Sequence, residues 1–236
     1  MFRLNTILST ALFDFSKQDI SNYQIVIIDI LRATTTCVVA LENGAKEIIP
    51  VGSIEKALTY KSKDYILAGE RDGQRIDSFS LGNSPQEFTE EKVKDKKIVF
   101  TTTNGTKAIE LCGTHSDILI SSYRNIDVTV EKLISNKKDV LLFCSGWKGQ
   151  INIEDSLFAG ELIAQLQNKS LFQITDDASH IALTLYLQHA QNIKGFLNNA
   201  SHVKRFHTLH IETDLDVCLK RNTYDKAVLC KNGIIQ

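Results

Sequence analysis

The hydrophobic and polar positions of this chain change period repeatedly. Short runs apolar at every position give way to stretches in which apolar residues recur every three or four positions. That alternation predicts strands and helices in turn, as in an α/β protein. "YQIVIID", ending at Asp29, is the clearest apolar run, and unbroken apolarity predicts a strand covered on both faces. "TTTCVVALEN" predicts a helix capped by Thr34 or Thr35 and closed by Gly44. "AKEIIPVGS" predicts a second strand, with Pro50 placing its end at a sheet edge or outside the ladder. Ser53 is then a cap for the helix "IEKALTYKS".

Further strands are expected at "DYILAGER", "KIVF", "SDILISS" and "DVLLFC", and helices at "KAIELC", "IDVTVEKLISN" and from about Asn152 onward. The opening "MFRLNTILSTALFDF" is broken by Asp14 and lacks a basic leader, so it predicts a first strand and not a signal peptide. In "TDDASHIALTLYLQHA" the residues Ala178, Ile181, Ala182 and Leu185 have amphipathic spacing, with acidic side chains in the first turn. Two short helices and a β-like ending, "KAVLCKNGIIQ" with "KNG" as a turn, complete the chain.

These elements predict one α/β domain over 1–236, a three-layer α/β/α sandwich around a largely parallel or mixed sheet. A strand–loop–helix–strand unit occurs at about 23–60 and again at about 97–136, which suggests an internal repeat. The segment from Arg71 to Glu91 fits neither period. Phe79, Leu81 and Phe88 give it apolar anchors, so a folded functional loop is expected there.

Composition narrows the function classes. A formal net charge of -1, with no basic run interleaved with aromatics, argues against nucleic acid and against a membrane surface. No stretch reaches the roughly 18 apolar residues needed to span a bilayer. The five cysteines are scattered without a Cys-x-x-Cys pair, which argues against zinc and predicts reduced, packed thiols in a cytoplasmic protein. A homo-oligomer is left open. None of the six histidines stands at a recognisable spacing from a nucleophile, though His202 lies beside Lys204 and Arg205 in "SHVKRF".

The loops after three strands carry the candidate chemistry. The first holds Asp29, Arg32, Thr34, Thr35 and Thr36. The second holds Thr102, Thr103, Asn104, Gly105 and Thr106, and the third leads through Lys148 to Glu154 and Asp155. Threonine hydroxyls and helix-start amides donate to phosphate oxygens, and Arg32 offers a bidentate fork. Asp29 ends a buried apolar strand, Glu70 ends another, and Glu154 with Asp155 opens a helix. Each carboxylate reads either as a Mg²⁺ ligand beside a phosphate or as an ion-pair and capping group. All three loops are expected to converge at one edge of one sheet.

The ordered motifs "DILRATTT", "GERDGQRI", "LGNSP", "TTTNGT" and "CSGWKG…EDSLFAG", with the ending "SHVKRFHTLHIETDLDVC", resemble the 2-phosphosulfolactate phosphatase family over nearly the whole chain. The resemblance implies an α/β/α fold and Mg²⁺-dependent hydrolysis of a small anionic phospho-acid, with sulfolactate, a coenzyme M precursor, as the product. Mn²⁺ is the alternative metal. On this resemblance and the chemistry above, Asp29 and Arg32 are the expected catalytic pair, and Asp29, Glu70, Glu154 and Asp155 the expected metal ligands. Thr34–Thr36, Asn83 and Thr102–Thr106 are expected at the substrate, with Arg71 or Lys148 meeting its sulfonate or carboxylate. The rival reading is a binding or regulatory protein that holds a phosphorylated metabolite without turnover.

Overall fold

The computed structural model describes residues 1–14, 19–61, 63–113, 118–209 and 211–236. Their strands are β1 (Phe2–Ile7), β2 (Tyr23–Ile28), β3 (Glu47–Pro50), β4 (Tyr65–Arg71), β5 (Gln74–Arg75), β6 (Lys97–Thr101), β7 (Ile118–Ser121), β8 (Asp139–Cys144), β9 (Phe172–Ile174), β10 (Val228–Lys231) and β11 (Ile234–Ile235). The helices are α1 (Ala33–Glu42), α2 (Ile54–Leu58), α3 (Glu90–Val93), α4 (Gly105–Leu111), α5 (Ile126–Asn136), α6 (Ile153–Gln167), α7 (Asp177–His189), α8 (Ile193–Leu197), α9 (Ser201–Leu209) and α10 (Thr213–Cys218). No helix among the described residues is long and apolar enough to cross a membrane. The histidines at 115 and 210 lie outside the described residues, as does the start of "SDILISS".

All strands join one mixed sheet, in the order β5-β4-β6-β3-β11-β10-β7-β2-β8-β1-β9. Every residue of β2 is buried, including Gln24, whose Nε2 donates to the Leu133 carbonyl at 3.0 Å. Val26 and Ile28 pack against α5 and α6 through Val130, Leu133, Phe158 and Leu162. Ile25 and Ile27 face α1 and α4 through Val38, Ala40, Ala108 and Ile109. The sheet is therefore the middle of three layers. All five cysteines are unpaired and buried.

The C-terminal hairpin sits in the middle of this sheet. Asn232 and Gly233 both have positive φ, +51° and +76°, as a tight two-residue hairpin turn demands. β10 pairs antiparallel with β7, β11 with β10, and β11 with β3. Three successive antiparallel steps reverse the strand direction. β3, β4 and β6 thus run opposite to β1, β2, β7, β8 and β9.

Four local expectations are corrected. β3 is an interior strand, and Pro50 ends it opposite Phe100, so its missing amide costs only a final rung. α1 starts at Ala33, so Thr34 and Thr35 lie within its first turn and are not caps. Ile181 points outward with 59% exposure, while Ala182 is buried where α7 crosses α6. That crossing is close because Gly160 lacks a side chain; a Cβ there would lie 2.0 Å from the Ala182 carbonyl. Finally, the chain ends in three short helices before the hairpin, not two, and β9 is a strand whose short "FQI" run gave no periodic signal.

Candidate active site

Asp29 follows the last residue of β2, and its environment is built by the turn into α1. Asp29 Oδ1 accepts the Ala33 amide at 3.2 Å, while the Asp29 amide donates to Thr34 Oγ1 at 3.2 Å. Asp29 Oδ2 accepts no hydrogen bond among the described residues. Thr35 Oγ1 donates to the Ile30 carbonyl and Thr36 Oγ1 to the Asn83 carbonyl, both at 2.9 Å. The three threonines are buried and hold the loop; their hydroxyls do not line the cleft. Asp155 acts in the same way from α6. Its Oδ1 accepts the Ile30 amide at 3.0 Å and its Oδ2 accepts Asn152 Nδ2 at 2.9 Å.

The second loop enters from β6. Glu70, at the end of β4, accepts the Thr103 amide at 2.7 Å and the Gly73 amide at 2.6 Å. Thr102 and Thr106 bond each other, amide to hydroxyl in both directions, and face away from the cleft. Thr103 and Asn104 line the cleft with Asp29, Glu70, Arg32 and Asn83. Asn83 Oδ1 is buried there without a hydrogen-bond partner among the described residues. Gly105 fits against the first loop. A Cβ on it would lie 2.6 Å from Ala33 Cβ and 2.8 Å from Asp29 Oδ2. Gly105→Ala is therefore expected to lose about 1–3 kcal/mol of stability and to displace Asp29. Unchanged melting temperature and kcat/KM would show that the two loops are not in contact.

The loops meet for a different reason than one shared sheet edge. β2 and β6 point in opposed directions along the sheet, five strand steps apart. A twist of roughly 20–25° per step accumulates to on the order of 100° over that distance. Such a rotation brings diagonal corners of a sheet toward the same face, and both loops fold over it.

The third loop and the C-terminal helices close the cleft. Glu154, buried at the start of α6, meets His202 Nδ1 at 2.9 Å. His202 lines the cleft and stacks on Trp147 with ring centroids 6.3 Å apart. Arg205, Phe206 and Leu209 follow on the same face of α9. Helical spacing in "SHVKRFHTL" carries that face, and it was the available signal for His202 and Arg205 as site residues. Asp214 carried no such signal. Its Oδ2 lies 2.6 Å from Arg32 Nη1, with side-chain exposures of 1% and 5%. Arg32 is thus a buried ion-pair partner as well as a cleft residue. Arg71 turns back to the Glu70 carbonyl and Thr101 Oγ1, and Lys148 pairs with Asp72 at 2.6 Å; neither lines the cleft.

The electrostatics follow from burial. Desolvation pushes the Asp29 carboxyl up to about 6; His202 and the Ala33 amide oppose this, and Glu70 and Glu154 add to it. Desolvation, then Asp29 and Glu154, push Asp155 well above the usual carboxylate range. Cys144 is fully buried, and burial raises its thiol far up, so it is an inert core residue. Among the described residues no three His, Cys, Asp or Glu side chains are placed to hold a metal ion together. The four-carboxylate set is therefore not assembled: of the four, only Asp29 and Glu70 line the cleft, while Asp155 is turned to Ile30 and Asn152, and Glu154 to His202. Oxygen donors at Asp29 and Glu70 still fit Mg²⁺, which needs only one or two carboxylates when substrate and water complete its shell.

Known proteins resemble this chain along its length. The sequence model of a family described as 2-phosphosulpholactate phosphatase matches residues 12–233. A Thermotoga maritima protein named "Probable 2-phosphosulfolactate phosphatase" is 39% identical over 210 residues, 89% of either chain. A Clostridium tetani protein of the same name is 38% identical over 226 residues, covering 94% of this chain and 96% of its own. One from Caldanaerobacter subterraneus is 34% identical over 225 residues, covering 94% and 93%.

Proposed function

This chain belongs to the 2-phosphosulpholactate phosphatase family, and from that membership we propose that it hydrolyses 2-phosphosulfolactate to sulfolactate and phosphate with the help of Mg²⁺. The observation that carries the reading is the meeting, in one cleft, of buried carboxylates and cationic side chains from three separate segments. A receptor for a phosphorylated metabolite gains nothing from negative neighbours, whereas hydrolysis needs a base. Asp29 Oδ2 is the group that takes the proton of the attacking water, since a carboxyl raised to about 6 is ionised but still basic near neutral pH. The Ala33 amide fixes its orientation through Oδ1. Arg32 and Asn104 bind the phosphoryl oxygens from two sides. His202, held by Glu154 through Nδ1, hydrogen-bonds the ester oxygen as it departs. Glu70, together with the substrate phosphate, would hold Mg²⁺ beside Asp29, and the ion would supply charge neutralisation at the phosphoryl group.

Phosphate release from 2-phosphosulfolactate, measured after exhaustive chelation and again after Mg²⁺ is restored, tests both parts. Activity is expected to vanish and return. Full activity in chelator removes the metal from the reading, and no release from any phospho-acid with Mg²⁺ present removes the activity.

A further inference from the structure

The substrate of the proposed reaction carries a carboxylate and a sulfonate beside its phosphate. Asp29, Glu70 and Asp72 face the same cleft, so a polyanion entering it needs cations beyond those that hold phosphate. The positive residues near the cleft are mostly committed. Arg32 is neutralised by Asp214, Lys148 by Asp72, and Arg71 is turned away to Thr101. Arg205 differs. It lines the cleft and has no ion pair among the described residues. One of its Nη atoms donates to the Asp72 carbonyl, which aims the guanidinium, while the Asp72 carboxylate that feels the Arg205 charge is itself ion-paired with Lys148. Its Cζ lies over the Trp147 ring, 5.4 Å from the centroid. An aromatic seat of this kind holds an arginine in place without consuming its donors.

We infer that Arg205, seated on Trp147, is the residue that reads the acid group of the substrate, taking the carboxylate or sulfonate in its fork while other segments take the phosphate. The inference rests on the proposed hydrolysis. It makes the site selective for phosphate esters that carry a second anionic group, and it moves that recognition from the loops after β4 and β8 to α9. The cost of losing a bidentate, charge-assisted contact sets the expected size of the effect.

Two measurements on the full chain with Mg²⁺ decide it. The first compares kcat/KM for 2-phosphosulfolactate and for isopropyl phosphate, which has no second acid. In Arg205→Ala the ratio between the two is expected to fall about tenfold or more, with Arg205→Lys intermediate. 2-Phospholactate and 2-sulfoethyl phosphate, each with one acid group, then show which acid Arg205 holds. An equal loss on isopropyl phosphate, or no loss on 2-phosphosulfolactate, overturns the inference. The second measurement does not need turnover. Trp147 is the only tryptophan in the chain, so its emission reports on this cleft. Sulfolactate is expected to change that emission in the wild type and to bind Arg205→Ala about tenfold more weakly, with calorimetry as the check on affinity. Equal affinity in both proteins, or no sulfolactate binding by the wild type, overturns it even if the hydrolysis itself is confirmed. If no ester is hydrolysed but sulfolactate binding depends on Arg205, the proposed activity falls and the acid subsite stands.

Discussion

Asp29→Asn is expected to silence turnover and, without divalent cations, to make the protein more stable. The substitution keeps the shape and the oxygen that accepts the Ala33 amide, and removes the charge. Loss of a catalytic base costs roughly 10²–10⁴-fold in rate. The stability gain follows from the raised carboxyl. Below about pH 4 Asp29 is neutral in both folded and unfolded chains and nothing is lost. As pH rises toward about 6 the unfolded chain has already ionised this group while the folded protein still holds its proton, so stability falls through that window and stays lower above it. The penalty is on the order of 2–3 kcal/mol at pH 8. Asp29→Asn should therefore melt about 5 °C or more above the wild type at pH 8 in chelator, and the gap should close near pH 4. Mg²⁺ should raise the wild-type melting temperature and leave the variant nearly unmoved, because a bound cation offsets the same charge. A variant that is fully active, or one that melts lower than the wild type at pH 8 in chelator, would refute this account of Asp29.

Asp214→Ala is expected to be the most destabilising single change near the site. Asp214 Oδ2 neutralises Arg32, and its Oδ1 accepts Ser84 Oγ at 2.6 Å and Gln86 Nε2 at 2.8 Å. One carboxylate therefore ties the loop after β2, the irregular 71–91 segment and α10 together. Its removal leaves a buried guanidinium uncompensated, which costs on the order of 3–5 kcal/mol. At this chain length that lowers the melting temperature by roughly 10 °C or more. The double change Arg32→Met with Asp214→Leu removes both charges and should recover much of the loss, since a buried pair is often replaceable by apolar groups of like size. Activity should not return with the fold, because Arg32 also faces the cleft. A loss below about 1 kcal/mol for Asp214→Ala would mean the pair is solvated and not a clamp. A double variant with wild-type kcat/KM would make Arg32 purely structural.

What the sequence by itself determined is the local structure. Apolar runs specify β2, β6 and β8 because strands buried on both faces are mostly apolar, and the rare buried polar residue, Gln24 in β2, bonds backbone at the Leu133 carbonyl. Ser53 caps α2 as its side chain predicts, α6 starts at Asn152 where expected, and "KNG" makes its hairpin turn, because caps and turns depend on a few adjacent residues. Phe79, Leu81 and Phe88 anchor the irregular loop, since large apolar side chains have little choice but burial. The prominence of Asp29, Glu70, Asn104 and Gly105 was also legible, as polar or glycine residues abutting buried strands.

Only the tertiary structure decided how those pieces are used. The reversal of half the sheet comes from a hairpin more than a hundred residues downstream of β3 and β7, and strand pairing over such distances leaves no periodic trace. The threonine clusters resemble anion loops in sequence, yet most of their hydroxyls close onto backbone, Thr35 and Thr106 locally and Thr36 on the Asn83 carbonyl, because a buried hydroxyl must find a partner. The partners of the ionisable groups were the least legible. Arg32 with Asp214 and Glu154 with His202 join residues 182 and 48 positions apart. Charge pairing depends on distance in space and on burial, and neither is written in the spacing of residues along the chain.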